Sequence, residues 1–206
     1  PTIKYFTAAY LQTGLVSGAT YLGAAQFPLP TPPAQATLTG AALTLTGYAN
    51  GSGNTASDEW SAQLLPTSLD AGWSTTNYTT IAGATPDRTL TPVLVGTGQV
   101  VANQSNTWDF TEADLAVLAD RIAGSHALSI RTRGDNIGAS SRVSWYSAST
   151  SVVAKKPTLT LSYAPDPLPD QAPYADAGRW QTVTGLGPVT LDGSASFDAE
   201  GAVTVA

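Results

Sequence analysis

The sequence predicts an all-β fold with one short helix, and three observations carry this prediction. Apolar residues make up 42% of the 206 residues, which is enough for a core, and charged residues only 12%. Nineteen glycines and fourteen prolines interrupt the chain. Between them lie short runs that alternate apolar and polar residues, as in Ala42-Leu-Thr-Leu-Thr-Gly-Tyr48. Short strands at roughly even spacing predict a jelly-roll-like β-sandwich.

The strand predictions follow the alternation along the chain. Residues 1–18 are weakly patterned and are predicted to be an N-terminal arm. A first strand is predicted from Tyr21 to Phe27, before a proline-rich turn. In the next strand Leu43 and Leu45 share one face, as expected of a strand that packs on one side. The remaining extended segments are predicted at 59–65, 88–95, 99–102, 107–110, 127–133, 142–146 and 157–163.

A single helix is predicted at about residues 112–123. Thr111 and Asp114 have the spacing of a capping box, in which Asp takes the place of Glu. Gly124 is placed to end the helix in a left-handed conformation. The apolar residues between them recur at helical spacing, at Leu115, Leu118 and Ile122.

Composition divides the chain into a sandwich at 19–164, a Pro-rich linker at 165–173 and a second module at 174–206. Residues 1–165 carry eight Lys or Arg against nine Asp or Glu, whereas residues 166–206 carry one against six. The main domain is therefore almost neutral and the tail is acidic. Neither has the basic surface that nucleic acid requires, so no nucleic-acid partner is predicted.

The first residues of the chain, its cysteine content and its apolar runs bear on where the protein is located. The chain has no cysteine, so it forms no disulfide. No apolar run approaches the roughly 18 residues of a membrane span, so no membrane insertion is predicted. The first residues lack the features of a signal peptide. Either a signal was removed, or none existed and synthesis was cytoplasmic; the second option favours a virus particle assembled inside a host cell.

The tail contains four patterned segments: Ala175-Asp-Ala-Gly178, Gln181-Thr-Val-Thr184, Pro188-Val-Thr-Leu-Asp-Gly-Ser-Ala-Ser196 and Phe197-Asp-Ala-Glu-Gly201. In this order they resemble the opening strands of a PKD-type immunoglobulin-like module. The resemblance implies that the chain is part of a longer, beaded surface protein, with 174–206 forming a partial immunoglobulin-like module.

Six features follow one another over residues 20–164: the strand Tyr21 to Phe27, the segment 41–46, Trp60 with Trp73, Trp108-Asp-Phe-Thr111, Trp145-Tyr-Ser147 and Lys156-Pro-Thr-Leu-Thr-Leu-Ser-Tyr163. In this order they resemble the DNRLRE-type jelly-roll domain, which is related to a family of carbohydrate-binding modules. The resemblance implies a glycan-binding or structural module and transfers no ligand residues to this chain.

The sharpest candidate site is a set of arginines. Alternation places Arg131 and Arg133 on one face of their strand, and Arg142 and Tyr146 on the outer face of the next. If the two strands are neighbours, these side chains share a surface that suits uronate or teichoic-type polymers, since arginine forks bind carboxylates. The alternatives are that these arginines only maintain solubility, or that the strands lie in opposite sheets.

The tryptophans divide into core and loop positions. Trp108 and Trp145 fall at apolar positions of alternating strands and are predicted to be core residues. Trp73 lies in a loop, where it is either an exposed platform for stacking on a sugar or a buried plug.

No enzyme is predicted. His126 is the only histidine, no nucleophile-elbow motif is present, and no carboxylate pair stands in a glycosidase motif. No cofactor or metal is predicted, although Asp58-Glu59 and Asp135-Asn136 are the best candidates for a structural calcium ion.

Two functions remain open. The first is a structural or adhesive module on a virion surface, such as a phage tail or capsid appendage. Its partners would be other subunits of the same assembly and a host cell-surface polysaccharide. The second is a carbohydrate-binding module of a secreted or cell-surface bacterial protein.

Overall fold

The computed structural model describes residues 8–52, 57–91, 94–95 and 100–166, and beyond them residues 174–176, 178, 184–185, 188, 190 and 192–197. The side chains of residues 94–95 are not part of this description. The chain divides into two compact units, Pro1–Pro165 and Asp166–Ala206.

The described part of the first unit is a sandwich of two antiparallel sheets, which confirms the all-β prediction. The first sheet has the order β11-β4-β10-β1-β2, and β8 also pairs with β4. Its strands are β1 (Tyr10–Val16), β2 (Ala19–Tyr21), β4 (Ala36–Ser52), β8 (Ser105–Asp109), β10 (Arg142–Tyr146) and β11 (Thr158–Pro165). The second sheet has the order β3-β9-β5-β6, and β7 pairs with β5. Its strands are β3 (Gly23–Pro28), β5 (Glu59–Leu64), β6 (Arg88–Thr89), β7 (Leu94–Val95) and β9 (Ala127–Asp135).

The core lies between the sheets and follows the alternation in the sequence. Leu43 and Leu45 from the first sheet are fully buried, as are Trp60 and Leu128 from the second. Trp108 and Trp145 meet edge to face with ring centroids 5.9 Å apart, which confirms them as core residues. Aromatic pairs in this geometry add roughly 1 kcal/mol to the stability that their burial provides.

The predicted helix is confirmed as α2 (Glu112–Ala123). The Thr111 hydroxyl accepts from the backbone N–H of Asp114, and the Asp114 carboxylate accepts from the backbone N–H of Thr111, so the capping box is complete. The predicted role of Gly124 is wrong, because its φ is −115°. The residue with left-handed backbone after this helix is His126 (φ 52°), whose N–H donates to the Arg121 carbonyl.

One further short helix, α1 (Tyr78–Gly83), and three 3₁₀ turns (Thr67–Leu69, Trp73–Thr75 and Val153–Lys155) complete the described helical structure. None of the helices in the described ranges is long and apolar enough to cross a membrane.

The predicted N-terminal arm is wrong for residues 10–16, which form β1 inside the first sheet. Tyr10 lies opposite Tyr146 of β10, and the pairing continues to Gly14 opposite Arg142. The Thr13 hydroxyl is buried and shares a 2.5 Å hydrogen bond with the Thr132 hydroxyl of the second sheet. β1 therefore belongs to the sandwich.

In the second unit the described structure is one antiparallel bridge, between Tyr174 and Phe197, whose ring centroids are 5.5 Å apart. The Ser196 hydroxyl accepts from the Asp176 N–H at 2.9 Å and donates to the Asp176 carbonyl at 3.1 Å. Most of the predicted linker and most of the predicted PKD-type strands lie outside the described residues.

Candidate binding surface

The predicted arginine surface is not formed, because the two strands that carry it lie in different sheets. Arg131 and Arg133 are on β9 of the second sheet, whereas Arg142 and Tyr146 are on β10 of the first. Strands that follow one another in the chain are thus separated by the core of the sandwich.

Arg131 is also buried, with 1% of its surface exposed. Its face of β9 is covered by residues 66–87, here called the covering segment. The Arg131 guanidinium donates through Nε to the Gln63 side chain at 2.7 Å and through Nη1 to the carbonyls of Ile81 and Ala82 at 2.5 and 3.2 Å. Desolvation lowers the pKa of Arg131, as does the charge of Arg133, although an arginine stays protonated in a protein. Arg131 therefore fixes the covering segment and presents no surface to a ligand.

A buried ion pair holds the same segment at its other end. Arg121 of α2 donates through Nη1 to both carboxylate oxygens of Asp70, at 3.1 and 2.9 Å, and both side chains are 1% exposed. Arg121 Nη2 donates to Asp87 at 2.6 Å and to the Leu65 carbonyl. The hydroxyls of Ser125 and Ser129 also donate to Asp70. This network, here called the Arg121 clasp, joins α2, β9 and the covering segment.

The other predicted residues on this side are engaged locally. Arg133 forms a surface ion pair with Asp135, at 2.9 Å between Nε and Oδ1. Trp73 is half-buried in the covering segment and packs against the small apolar cluster of Leu65, Leu69 and Ile81. The position of Trp73 is thus nearer to the buried plug than to an open platform.

The two candidate calcium segments are brought together. Glu59 lies opposite Asp135 in the pairing of β5 with β9. Asp58 is buried, and its carboxylate accepts from the Gly138 N–H at 3.0 Å. The Ser61 hydroxyl donates to Asp135 at 2.9 Å. No group of three His, Cys, Asp or Glu side chains within the described residues has the arrangement of a metal site.

A different surface appears on the outer face of the first sheet. Tyr10, Tyr48 and Tyr146 form one aromatic cluster there, here called the tyrosine face. The rings of Tyr10 and Tyr48 stack with centroids 4.8 Å apart and planes 23° from parallel. Tyr146 meets Tyr48 edge-on at 5.1 Å. Tyr10 and Tyr48 are each 41% exposed, so a large aromatic area stays in contact with solvent.

Strand register explains why three residues far apart in sequence meet. In β10, Val143 and Trp145 point into the core, so Tyr146 points outward. Tyr10 is its direct partner on β1. On the other side of β10, the pairing with β4 shifts between Ser144 and Trp145, so that β4 has an extra residue, Tyr48, at this point. A bulge of this kind changes the direction of a side chain. Here the bulge lies at Tyr48, whose ring reaches across β10 and stacks on the ring of Tyr10.

A polar corner adjoins the tyrosine face. The Tyr146 hydroxyl donates to Asn103 Oδ1 at 3.2 Å, and the Lys155 ammonium donates to the Asn103 carbonyl at 3.1 Å. At the far end of β10, Arg142 Nε donates to the Ser52 hydroxyl at 3.0 Å. A flat aromatic surface is thus bordered by groups that can hydrogen-bond.

The ion pairs found among the described residues of the first unit lie outside the segments that form the tyrosine face. Each of the four ion pairs among the described residues lies in the second sheet, α2 or the covering segment: Arg88–Asp114, Arg121–Asp70, Arg121–Asp87 and Arg133–Asp135. The segments that form and border the tyrosine face, 8–21, 44–52, 100–106 and 142–156, contain Arg142, Lys155 and Lys156 and no Asp or Glu. The charged residues of these segments are therefore all cationic, while Asp109 of β8 lies further along the same sheet, opposite Ala42 of β4.

Comparison with known proteins gives no further guide. No protein-family model matches the chain, and a search of the curated proteins finds no match either. The resemblances to DNRLRE-type and PKD-type domains therefore stay predictions.

The sequence predicts only one member of the tyrosine face as a site residue, Tyr146. Tyr10 falls in the predicted N-terminal arm, and Tyr48 falls at the end of a predicted strand. One available signal was that Tyr48 continues the outward alternation of Thr44 and Thr46, which predicts an exposed aromatic ring on a sheet. The partnership of Tyr10 with Tyr146 had no local signal.

Proposed function

We propose that this chain is a non-enzymatic adhesive module whose tyrosine face binds a glycan. The observation that carries the proposal is the cluster of two stacked, exposed tyrosines and a third edge-on tyrosine on the outside of a paired sheet. Soluble monomers rarely expose large contiguous apolar patches, so a contiguous group of exposed aromatic rings indicates an interaction site.

The chemistry of the face suits a sugar. The C–H-rich face of a pyranose packs on an aromatic ring, while its hydroxyls need hydrogen-bond partners at the edges. Tyr48 and Tyr10 supply the rings, and the Asn103 corner supplies the polar groups. Because strands hold these side chains, little conformational entropy is lost on binding, which favours affinity.

We further propose that the module is displayed on a particle surface, as part of a phage tail or capsid appendage. The β-rich sandwich followed by an acidic tail supports a display role, and other subunits of the same assembly would be its neighbours. The alternative is a carbohydrate-binding module of a secreted enzyme or a cell-surface adhesin. The tyrosine face would serve either role.

Location and binding call for separate experiments. Mass spectrometry of purified particles should detect this chain in the first case, and its absence from every particle would end the virion proposal. Coding sequence on either side should show tail or capsid genes in the first case, and an export signal with a polysaccharide-acting domain in the second.

Binding is tested by calorimetric titration of the whole chain with a panel of neutral and acidic polysaccharides. For a polysaccharide that binds, Tyr48→Ala should weaken affinity at least about fivefold, since an aromatic stacking contact contributes roughly 1 kcal/mol beyond area burial. Tyr48→Phe, which keeps the ring, should leave the affinity nearly unchanged. Tyr78→Ala, in α1 and remote from this sheet, is the matched control. Unchanged affinity in Tyr48→Ala, or no binding to any member of the panel, would contradict the proposal.

A further inference from the structure

The corner formed by Tyr146, Asn103 and Lys155 points to the class of glycan. Resting on the glycan-binding function above, we propose that this corner is an anion subsite: the Lys155 ammonium contacts a carboxylate or phosphate group of the polymer, and Asn103 positions Lys155 and Tyr146 for that contact. The ligand is therefore an acidic glycan.

Asn103 is fixed by the edge of the first sheet. Its N–H donates to the Gly47 carbonyl at 2.7 Å, and the Gly47 N–H donates back to the Gln104 carbonyl at 2.8 Å. The neighbouring Ala102 N–H donates to the Asn50 side chain at 2.8 Å. Asn103 has a φ of 67°, a left-handed conformation that asparagine tolerates better than most residues. The loop thus sits beside Tyr48 in a defined place.

Two groups of the corner converge on this one residue. The side-chain oxygen of Asn103 accepts from the Tyr146 hydroxyl, and its backbone oxygen accepts from Lys155. The Lys155 ammonium is therefore held next to the tyrosine face, because Asn103 contacts both Lys155 and Tyr146. An ammonium has three donors, and one is used by the Asn103 carbonyl, so others can reach a ligand oxygen.

The local charge selects an anion. The segments around the face contain three cationic residues and no Asp or Glu, so a carboxylate on a ligand meets no like charge. The formal net charge of −6 comes mainly from residues 166–206, which carry one Arg against six Asp or Glu, so residues 1–165 are almost neutral and oppose an acidic polymer only weakly. Charge complementarity at this face therefore favours a defined orientation of an acidic chain.

The test uses one backbone in two charge states: polygalacturonate and its carboxyl-reduced, neutral form, titrated into the whole chain. A glycerol-phosphate polymer and a neutral polyol of similar length form a second pair, which distinguishes phosphate from carboxylate as the anion. We expect the acidic member of at least one pair to bind more tightly. That preference should fall as salt rises from about 50 to 500 mM, since the Debye length shortens severalfold.

Three variants assign the preference to the corner. Lys155→Gln should weaken binding of the acidic polymer about fivefold, the upper range for an exposed charge pair, and leave the neutral polymer unaffected. Arg133→Gln removes a half-exposed cation from the other sheet and should change neither the affinity for the acidic polymer nor the affinity for the neutral one. Asn103→Gly keeps the left-handed backbone but removes the acceptor for Tyr146, and should reduce affinity for the acidic polymer while the melting temperature is nearly unchanged.

The possible results are distinguishable. If the acidic and neutral forms bind equally, or Lys155→Gln binds the acidic polymer as wild type does, while Tyr48→Ala still weakens binding, the anion subsite is wrong and the glycan-binding proposal survives. If Tyr48→Ala affects neither polymer, or if none of the polymers binds, both proposals are overturned.

Discussion

The Arg121 clasp gives the sharpest prediction of stability. Arg121→Ala leaves the Asp70 carboxylate buried without its cation, in a place where both side chains were 1% exposed. Removing one partner of a buried ion pair typically costs about 3–5 kcal/mol, because the remaining charge stays desolvated. Asp87, the second carboxylate on Arg121, is 35% exposed and can recover hydration. We therefore expect a loss of about 4 kcal/mol in the free energy of unfolding.

The matched control is the Arg133–Asp135 pair, whose side chains are 47% and 38% exposed. Arg133→Ala removes the same kind of side chain from a surface ion pair, and such pairs contribute about 0.2–1 kcal/mol. Urea denaturation followed by tryptophan fluorescence measures both variants. Equal losses for Arg121→Ala and Arg133→Ala would refute the argument from burial.

A double-variant cycle isolates the pair itself. The double variant Asp70→Asn with Arg121→Met should lose less free energy of unfolding than the sum of the losses in the two single variants. Each single variant leaves one buried charge without its partner, whereas the double variant removes both charges. Limited proteolysis adds a local readout: the covering segment, residues 66–87, should become the first site of cleavage in Arg121→Ala, because the clasp holds this segment on the second sheet. Additive losses in the cycle would mean that Arg121 acts through packing alone.

Two further predictions concern the helix cap and the loop of Asn103. Burial raises the pKa of Asp114, but hydrogen bonds from Arg88 and Thr111 outweigh this effect, so the pKa is lower in the folded protein than in the unfolded chain. The ionised Asp114 carboxylate therefore stabilises the fold above about pH 4, and this stabilisation is lost as the pH falls through the pKa of Asp114 in the folded protein. Asp114→Asn should cost about 1–2 kcal/mol at pH 7 and flatten the acid limb of a urea-denaturation series, whereas Asp120→Asn, exposed on the same helix, should not. Gly47→Ala places a methyl group against the Val101 carbonyl; it should lower the melting temperature and displace the Asn103 loop, while Gly83→Ala, with open space around it, should do neither. A Gly47→Ala protein as stable as wild type would show that the loop can move away freely.

The sequence by itself determined the features that depend only on residues close together in the chain, namely the helix cap and the two faces of each strand. The capping box of α2 joins residues three positions apart, so Thr111 and Asp114 were enough to place the helix. Alternation in β4 and β10 likewise placed Leu43, Leu45 and Trp145 in the core, because successive side chains of a strand point to opposite faces.

Tertiary structure decided which outward face meets solvent. Arg131 alternates outward as predicted, yet the covering segment buries it against Gln63, 68 positions away in the chain. Likewise, Tyr10, Tyr48 and Tyr146 become one surface only through the register of β1, β10 and β4. Pairing between distant strands depends on the packing of the whole core, and no local pattern encodes it. The alternation of each strand could therefore be read along the chain, whereas the surface that a ligand would meet came from how the sheets assemble.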